Sequence, residues 1–291
     1  MKILISDAFD PSLPDRLKKY GEVTDDKSQV ADADVVLIRS KTKCTKEYID
    51  GAPNLKLIIR GGVGLDNVDL EYAKEKGIQV NNTPAASAVA VAELAFAHML
   101  AVPNRLIEGH NSMKEGKWIK KELKRTELMG KALGLIGIGR IGTEMAKRAK
   151  AFGMNVIACD ACVDSSEYAE IKPYLEVLAE SDYISLHTPL TEETKGMINA
   201  KAIAKMKDGV VVINSGRGKC VLEEDMAEAL KSGKVKTYAT DVWYSDPPDP
   251  SSPILSAPNV QMTPHLGASS KENLLRIGDI IIDILEEFQN K

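Results

Sequence analysis

The feature that most constrains the fold is a glycine pattern that follows an apolar stretch. Residues 132–137 form a strand-like stretch that runs into Gly137, Gly139 and Gly142, a GxGxxG arrangement, and the residues after it favour a helix. In such a unit the first glycine permits a tight turn, the second lets the backbone approach an anion, and the third lets the helix pack on the strand. The free N–H groups at the helix N-terminus face the same anion. The pattern therefore predicts a parallel α/β sheet that binds a dinucleotide.

Short apolar stretches alternate with helix-like stretches along the chain, which indicates parallel sheets. The predicted strands are 2–6, 35–39, 57–60, 78–81, 132–137, 155–160, 183–188, 210–215, 237–242 and 260–264. A long apolar helix is predicted over 85–106 and a closing helix with one apolar face over 271–288. We therefore expect an α/β protein with doubly wound parallel sheets.

Composition and charge exclude several classes of protein. Hydrophobic residues make up 44% and charged residues 27%, as in ordinary globular proteins, and the net charge of −4 disfavours a nucleic-acid partner. The N-terminus lacks a signal-peptide pattern and no stretch approaches the length of a membrane span, so we expect a cytoplasmic protein with no membrane partner. Four cysteines do not suggest a disulfide framework.

Asp160 stands where a ribose-binding carboxylate is expected, at the end of the strand that follows the glycines. No Lys or Arg follows within 161–167 to accommodate a 2′-phosphate, so NAD is favoured over NADP. Asp160 also lies inside a close cysteine pair, Cys159 and Cys162. A redox or metal role for the pair is the alternative to two incidental thiols. Because no second pair completes a zinc site, we expect no metal.

Among the four histidines, His265 is the best candidate for acid–base catalysis. It follows the last predicted strand next to Pro264, and imidazole titrates closest to neutral pH. His187 ends another strand where the adenosine half of a cofactor would lie, so cofactor contact is expected there. His98 and His110 are expected to be packed or solvated.

Two further residues would complete a site for hydride transfer. Arg217 follows a strand between two glycines and suits a substrate carboxylate, because a guanidinium binds a carboxylate through two parallel hydrogen bonds. Asp246, next to Pro247, suits the role of the acid that orients the imidazole.

Seven motifs resemble those of the D-isomer-specific 2-hydroxyacid dehydrogenases, in the same order and over nearly the whole chain. They are the runs 60–69, 82–84, 137–142, 187–189, 214–218, 241–243 and 263–268. The resemblance implies a Rossmann NAD-binding domain, 85–266, inserted in a flavodoxin-like substrate-binding domain made of 1–84 and 267–291. It also implies a homodimer formed through the NAD-binding domain.

The resemblance implies roles for individual residues. His265 would exchange a proton with the C2 oxygen, Asp246 would hydrogen-bond that imidazole in place of the family's usual Glu, and Arg217 would bind the substrate carboxylate or C2 oxygen. Backbone N–H groups of Gly61, Gly62, Val63 and Gly64 would bind the carboxylate. The implied NAD contacts are Val63, Gly137, Gly139, Arg140, Ile141, Gly142, Asp160, His187, Thr188, Pro189, Ser215, Gly216, Asp241, Gly267 and Ala268.

Within the family, the runs 38–43 and 112–118 resemble phosphoglycerate dehydrogenases. Arg39 and Arg60 end neighbouring predicted strands, where two guanidinium groups could bind a phosphate. The expected reaction is oxidation of D-3-phosphoglycerate to 3-phosphohydroxypyruvate, the first step of serine biosynthesis, in a short form without a regulatory domain. The alternatives are a glyoxylate or hydroxypyruvate reductase and, from another class, an NAD-sensing binding protein.

Overall fold

The computed structural model describes residues 1–290. The chain divides into two compact units: the first comprises Met1–Ala90 with Ala268–Lys291, and the second comprises Val91–Gly267. Each unit contains a parallel sheet with helices packed on its faces, which confirms the predicted fold class.

The first unit contains a five-stranded sheet in the order β2-β1-β3-β4-β5. This is the flavodoxin-like order of a doubly wound sheet. Side chains alternate between two cores, because successive residues of a strand face opposite sides: Ile3 and Ile5 belong to one core and Leu4 to the other. The strands are β1 (Lys2–Ile5), β2 (Glu22–Thr24), β3 (Val35–Ile38), β4 (Leu57–Arg60) and β5 (Gln79–Asn82).

The helices of the first unit cover both faces of this sheet. They are α1 (Leu13–Leu17), α2 (Lys46–Asp50), α3 (Leu70–Glu75) and α10 (Lys271–Gln289). The Ser270 hydroxyl accepts the Asn273 N–H and caps the start of α10. Ile277, Ile281 and Leu285 of α10 are buried at helical spacing in the same core as Ile3. The closing helix therefore completes the core of the first unit.

The second unit contains seven parallel strands in the order β12-β11-β10-β9-β6-β7-β8. Numbered within the unit, the order from the other edge is 3-2-1-4-5-6-7, the Rossmann order with one strand added. The order reverses between neighbours β6 and β9, where α/β sheets bind ligands. The strands are β6 (Ala132–Ile136), β7 (Asn155–Cys159), β8 (Glu170–Ile171), β9 (Tyr183–Leu186), β10 (Val210–Asn214), β11 (Val235–Thr240) and β12 (Val260–Met262).

Six helices pack around the second sheet, and the first of them enters from the first unit. They are α4 (Ala88–Asn104), α5 (Leu106–Lys114), α6 (Arg140–Ala151), α7 (Tyr174–Glu180), α8 (Ala200–Lys205) and α9 (Glu223–Ser232). Short 3₁₀ helices cover Lys27–Asp32, Gly218–Cys220 and Pro253–Leu255. Phe96 and Met99 of α4 are buried in one core with Leu133 and Leu135 of β6. The apolar character of α4 is therefore explained largely by packing within the chain.

The predicted helix over 85–106 is shorter in the structure, because Arg105 adopts a left-handed backbone with φ 54° and separates α4 from α5. Within residues 1–290 no single helix has the length and hydrophobicity to cross a membrane. Helices α4 and α5 together pass that test by length and composition alone, with a 65° bend between them.

Candidate active site

Each glycine in the turn after β6 is explained by a different physical reason. Gly137 has φ 93°, and a Cβ there would lie 2.8 Å from the His187 carbonyl oxygen on neighbouring β9. A Cβ on Gly142 would lie 2.3 Å from the Gly137 carbonyl oxygen, so a larger residue would push α6 away from the turn. A Cβ on Gly139 would meet no atom within 4 Å. The space in front of Gly139 is open, which fits a cofactor pyrophosphate at the N-terminus of α6.

Asp160 is held beside this turn. Its Oδ2 accepts the Ile138 N–H at 2.8 Å, and its Oδ1 accepts the Cys162 N–H at 2.9 Å. The structure therefore brings the carboxylate and the glycine turn together, as expected for a ribose-binding acid. Cys159 and Cys162 are free thiols, and burial raises the pKa of Cys159 to about 11. That thiol is protonated and unreactive at neutral pH.

His187 lies at the end of β9, next to the turn. Its Nε2 is 3.0 Å from the Ser185 hydroxyl, and its buried Nδ1 has no hydrogen-bond partner within residues 1–290. Burial lowers the pKa of His187 to about 4, so the imidazole is neutral at pH 7. Thr188 and Pro189 follow it, and their oxygen atoms contact the Cys220 thiol at 3.8 and 3.9 Å. This segment is suited to contact a cofactor and not to transfer protons.

The turn that carries Arg217 is held by Asn214, the last residue of β10. The Asn214 amide accepts the Gly216 N–H at 3.1 Å and donates to the Arg217 carbonyl at 3.0 Å. The Tyr238 hydroxyl of β11 accepts from the same amide at 3.2 Å. A Cβ on Gly216 would lie 3.1 Å from the Leu186 carbonyl oxygen, so the turn also packs closely on β9. Neither Asn214 nor Tyr238 was assigned a role from sequence.

His265 and Asp246 form a close pair. His265 Nδ1 is 2.5 Å from Asp246 Oδ2, and each side chain is about one-third exposed, at 32% and 35%. The hydrogen bond from His265 holds the pKa of Asp246 below its usual value, and the nearby charges of His265 and Arg217 add to the effect. With Nδ1 occupied by the carboxylate, Nε2 is the ring nitrogen left to face a ligand. Asp246, although shorter than Glu, reaches the imidazole.

Asp241 follows β11 and holds the backbone directly after His265. Its Oδ1 accepts the Leu266 N–H at 2.7 Å, and its Oδ2 accepts the Gly267 N–H at 2.8 Å. His265, directly before these two residues, has a left-handed backbone with φ 55°, which is uncommon for residues other than glycine. Asp241 is buried, and its expected contact with NAD remains a prediction.

The glycine loop after β4 lies in the first unit with the other substrate-binding candidates. Gly62 has φ 149°, and a Cβ there would lie 1.7 Å from Arg60 Nη1, so the Arg60 guanidinium covers this glycine. The Asn82 amide donates to the Val63 carbonyl, and Val63 is partly exposed. A positively charged group therefore stands directly on the loop expected to bind a carboxylate.

Arg39 differs from Arg60 in its partners. Its Nη2 donates to the Ala268 carbonyl at 2.8 Å and its Nη1 to the Ala8 carbonyl at 3.3 Å. Its Nε is buried without a hydrogen-bond partner in the described chain. Two of the three guanidinium nitrogen atoms of Arg39 thus stabilise the first unit. The sequence analysis did not predict these contacts.

A cavity of about 260 Å³ opens elsewhere on the second unit. It is lined by Val102 of α4, by Arg105 directly after that helix, and by Lys236 of β11 and Gln261 of β12. The acid–base candidates lie at the opposite, carboxyl end of these strands. The cavity therefore does not mark the catalytic centre.

Comparison with known proteins supports the motif analysis. Residues 96–267 match the family described as D-isomer specific 2-hydroxyacid dehydrogenase, NAD binding domain. The chain is 48% identical over 260 residues to hydroxypyruvate reductase of Thermotoga maritima, covering 87% of this chain and 84% of that protein. It is 40% identical over 296 residues to D-3-phosphoglycerate dehydrogenase of Archaeoglobus fulgidus, covering 97% of this chain and 56% of that protein.

Among solved structures, D-lactate dehydrogenase from Aquifex aeolicus in complex with NAD and lactic acid is similar, with a TM-score of 0.90 and 31% identity. The match covers 99% of this chain and 95% of that one.

Proposed function

From the premise that the chain belongs to the D-isomer specific 2-hydroxyacid dehydrogenase family and is an NAD-dependent enzyme, we propose that it oxidises D-3-phosphoglycerate to 3-phosphohydroxypyruvate. This reaction begins the synthesis of serine. Bound NAD supplies the acceptor for the hydride that leaves C2, and NADH the donor in the reverse direction. Among the residues that support NAD binding, Gly139 offers open space and Asp160 a carboxylate at the glycine turn.

His265 is the proposed acid–base catalyst. In oxidation its Nε2 takes the proton from the C2 hydroxyl, and in reduction it returns a proton to the C2 oxygen. The adjacent Asp246 carboxylate orients the ring through Nδ1 and stabilises the imidazolium that forms when Nε2 gains the proton.

Arg217 and the loop Gly61–Gly64 are proposed to bind the polar groups of the substrate. The guanidinium suits the carboxylate or the C2 oxygen, since it offers several N–H groups in one plane. Backbone N–H groups of a glycine loop bind carboxylate oxygens without requiring a side chain.

The choice of a phosphorylated substrate rests on Arg60. Its guanidinium lies on Gly62 of the proposed carboxylate-binding loop, where it adds a positive charge that a small unphosphorylated acid would not need. A charge-assisted hydrogen bond to phosphate is worth roughly 1.5–3 kcal/mol. Arg39 is the second proposed phosphate ligand, through the donors that its backbone partners leave available.

The test compares rates of NADH oxidation with 3-phosphohydroxypyruvate, hydroxypyruvate, glyoxylate and pyruvate. We expect kcat/KM to be about 100-fold higher for the phosphorylated acid, equivalent to about 2.7 kcal/mol. Arg60→Gln should remove most of this preference and leave the rate with hydroxypyruvate within a few-fold of the wild type. Arg16→Gln, a change of the same kind elsewhere in the first unit, should leave the preference intact. His265→Ala should abolish turnover of every substrate.

A second candidate is a hydroxypyruvate or glyoxylate reductase, favoured by the 48% identity to the Thermotoga protein. Equal kcat/KM values with and without the phosphate would select it. Absence of turnover with all four acids would instead favour an NAD-sensing binding protein.

We also infer a homodimer formed through the NAD-binding unit and a cytoplasmic location. All four cysteines are free thiols, which supports a reducing compartment.

A further inference from the structure

His98 is a buried polar residue in the apolar helix α4. It has no part in the proposed catalysis, substrate binding or cofactor binding. Its Nε2 is 3.1 Å from the Thr263 hydroxyl, two residues before His265 in the chain. Burying a polar ring costs free energy unless the ring is hydrogen-bonded. This contact therefore identifies the Thr263 hydroxyl as the hydrogen-bond partner of the His98 imidazole.

The hydrogen-bond directions along this contact can be deduced. The Thr263 hydroxyl has one hydrogen, which it donates to Asp241 Oδ1 at 2.6 Å. It can therefore only accept from His98, whose Nε2 must carry a hydrogen. Burial lowers the pKa of His98, while the Gln261 amide and the Asp241 charge oppose this more weakly, so the ring is a neutral donor at pH 7.

Asp241 links this contact to the catalytic loop. Besides Thr263, it accepts the backbone N–H groups of Leu266 and Gly267, the two residues that follow His265, whose own backbone is left-handed. A left-handed conformation at a non-glycine residue is strained and persists only where surrounding contacts hold it. Any movement of the Asp241 carboxylate would therefore also move the His265 imidazole.

We propose that His98 is a positioning residue for hydride transfer. Its Nε2–H binds the Thr263 hydroxyl, and that hydroxyl binds the Asp241 carboxylate. The carboxylate in turn holds the loop that directs His265. The proposal rests on the proposed role of His265 as the acid–base catalyst. His98 touches neither substrate nor cofactor in this role and acts only through the two residues between them.

The test uses two pairs of variants. His98→Leu removes the donor, whereas His98→Gln keeps an amide N–H at similar reach; Thr263→Val removes the hydroxyl, whereas Thr263→Ser keeps it. In His98→Leu we expect amide hydrogen exchange at Leu266 and Gly267 to be at least fivefold faster and kcat about tenfold lower. KM for the 2-oxo acid, whose carboxylate the loop Gly61–Gly64 is proposed to bind, should stay within twofold. His98→Gln and Thr263→Ser should recover most of both losses.

A double variant separates positioning from packing. If His98 acts through Thr263, adding His98→Leu to Thr263→Val should change kcat by less than twofold. The proposal would be overturned if the losses of kcat in the two single variants multiplied in the double variant. Unchanged amide hydrogen exchange at Leu266 and Gly267 in His98→Leu would also overturn it. So would a failure of His98→Gln to recover kcat and the slow exchange. If the wild type reduces none of the four acids, the proposed function fails. The exchange measurement still decides whether His98 holds the loop.

Discussion

At the scale of single residues, the pair His265–Asp246 determines how protons are exchanged. The 2.5 Å contact and the lowered pKa of Asp246 indicate a carboxylate that is ionised throughout the neutral range. An ionised partner favours the protonated form of the imidazole. Reduction of a 2-oxo acid needs that form, because the C2 oxygen takes its proton from it.

This leads to a prediction for Asp246→Asn. An amide can still orient the ring but carries no charge, so the imidazolium is less stable. We expect kcat/KM for reduction to fall by roughly 10- to 100-fold at pH 7. Initial rates of NADH oxidation at pH 7 measure this loss.

Asp246→Glu is the matched control, because it keeps the charge and adds one methylene group. It should retain most of the wild-type kcat/KM for reduction. A kcat/KM in Asp246→Asn equal to that of the wild type would contradict a role for the carboxylate charge.

At the scale of elements, the turn from β6 to α6 combines two different demands on glycine. Gly142 is required by the fold, because a Cβ there would lie 2.3 Å from the Gly137 carbonyl oxygen. Gly139 is not required by the fold, since a Cβ there would meet no atom within 4 Å. We propose that glycine is needed at this position because the cofactor pyrophosphate lies close to the backbone here.

The two alanine variants should therefore fail in different ways. Gly142→Ala should lower the melting temperature by several degrees, because α6 must shift away from the turn. Gly139→Ala should keep the wild-type melting temperature and weaken NADH binding by about tenfold or more, measured by fluorescence titration. Equal NADH affinity in Gly139→Ala and the wild type would contradict the pyrophosphate site.

At the scale of the whole molecule, one stretch of the second unit carries several large apolar side chains that the chain leaves exposed. Leu106 and Ile107 begin α5, Met113 lies near its end, and Trp118 and Met129 follow; the last two are each 75% exposed. Clustered exposed apolar side chains of this size commonly mark a protein interface. They support the proposed homodimer.

We therefore expect twice the mass of one chain in size-exclusion chromatography with light scattering. The double change Ile107→Asp with Trp118→Asp should yield monomers, because it introduces two charges that association would bury. Leu175→Asp, at an exposed position of α7 in the same unit, should leave the mass unchanged. A wild-type protein of monomer mass at micromolar concentration would refute the homodimer.

The sequence alone determined the features that depend on neighbouring residues in the chain. Four apolar stretches predicted the four longer strands of the first sheet, and the glycine spacing predicted the turn from β6 to α6. The strands β2 and β8 were missed because each contains a single apolar residue, Val23 in β2 and Ile171 in β8, which is too few for an apolar stretch or an alternating pattern. Asp160 was predicted to bind the ribose because its distance from the glycines follows from the length of one helix and one strand; the structure places it beside the glycine turn.

Which distant groups meet depends on the packing of the folded chain and could not be predicted from local patterns. Arg39 and Arg60 look equivalent in sequence, yet one donates to the carbonyls of Ala8 and Ala268 and the other lies on Gly62. His98 looked like a packed residue until the fold brought it within 3.1 Å of Thr263, far along the chain. Local patterns report which face of an element is buried. The partner of a polar side chain depends on strand order and register, which are set by the packing of the whole sheet.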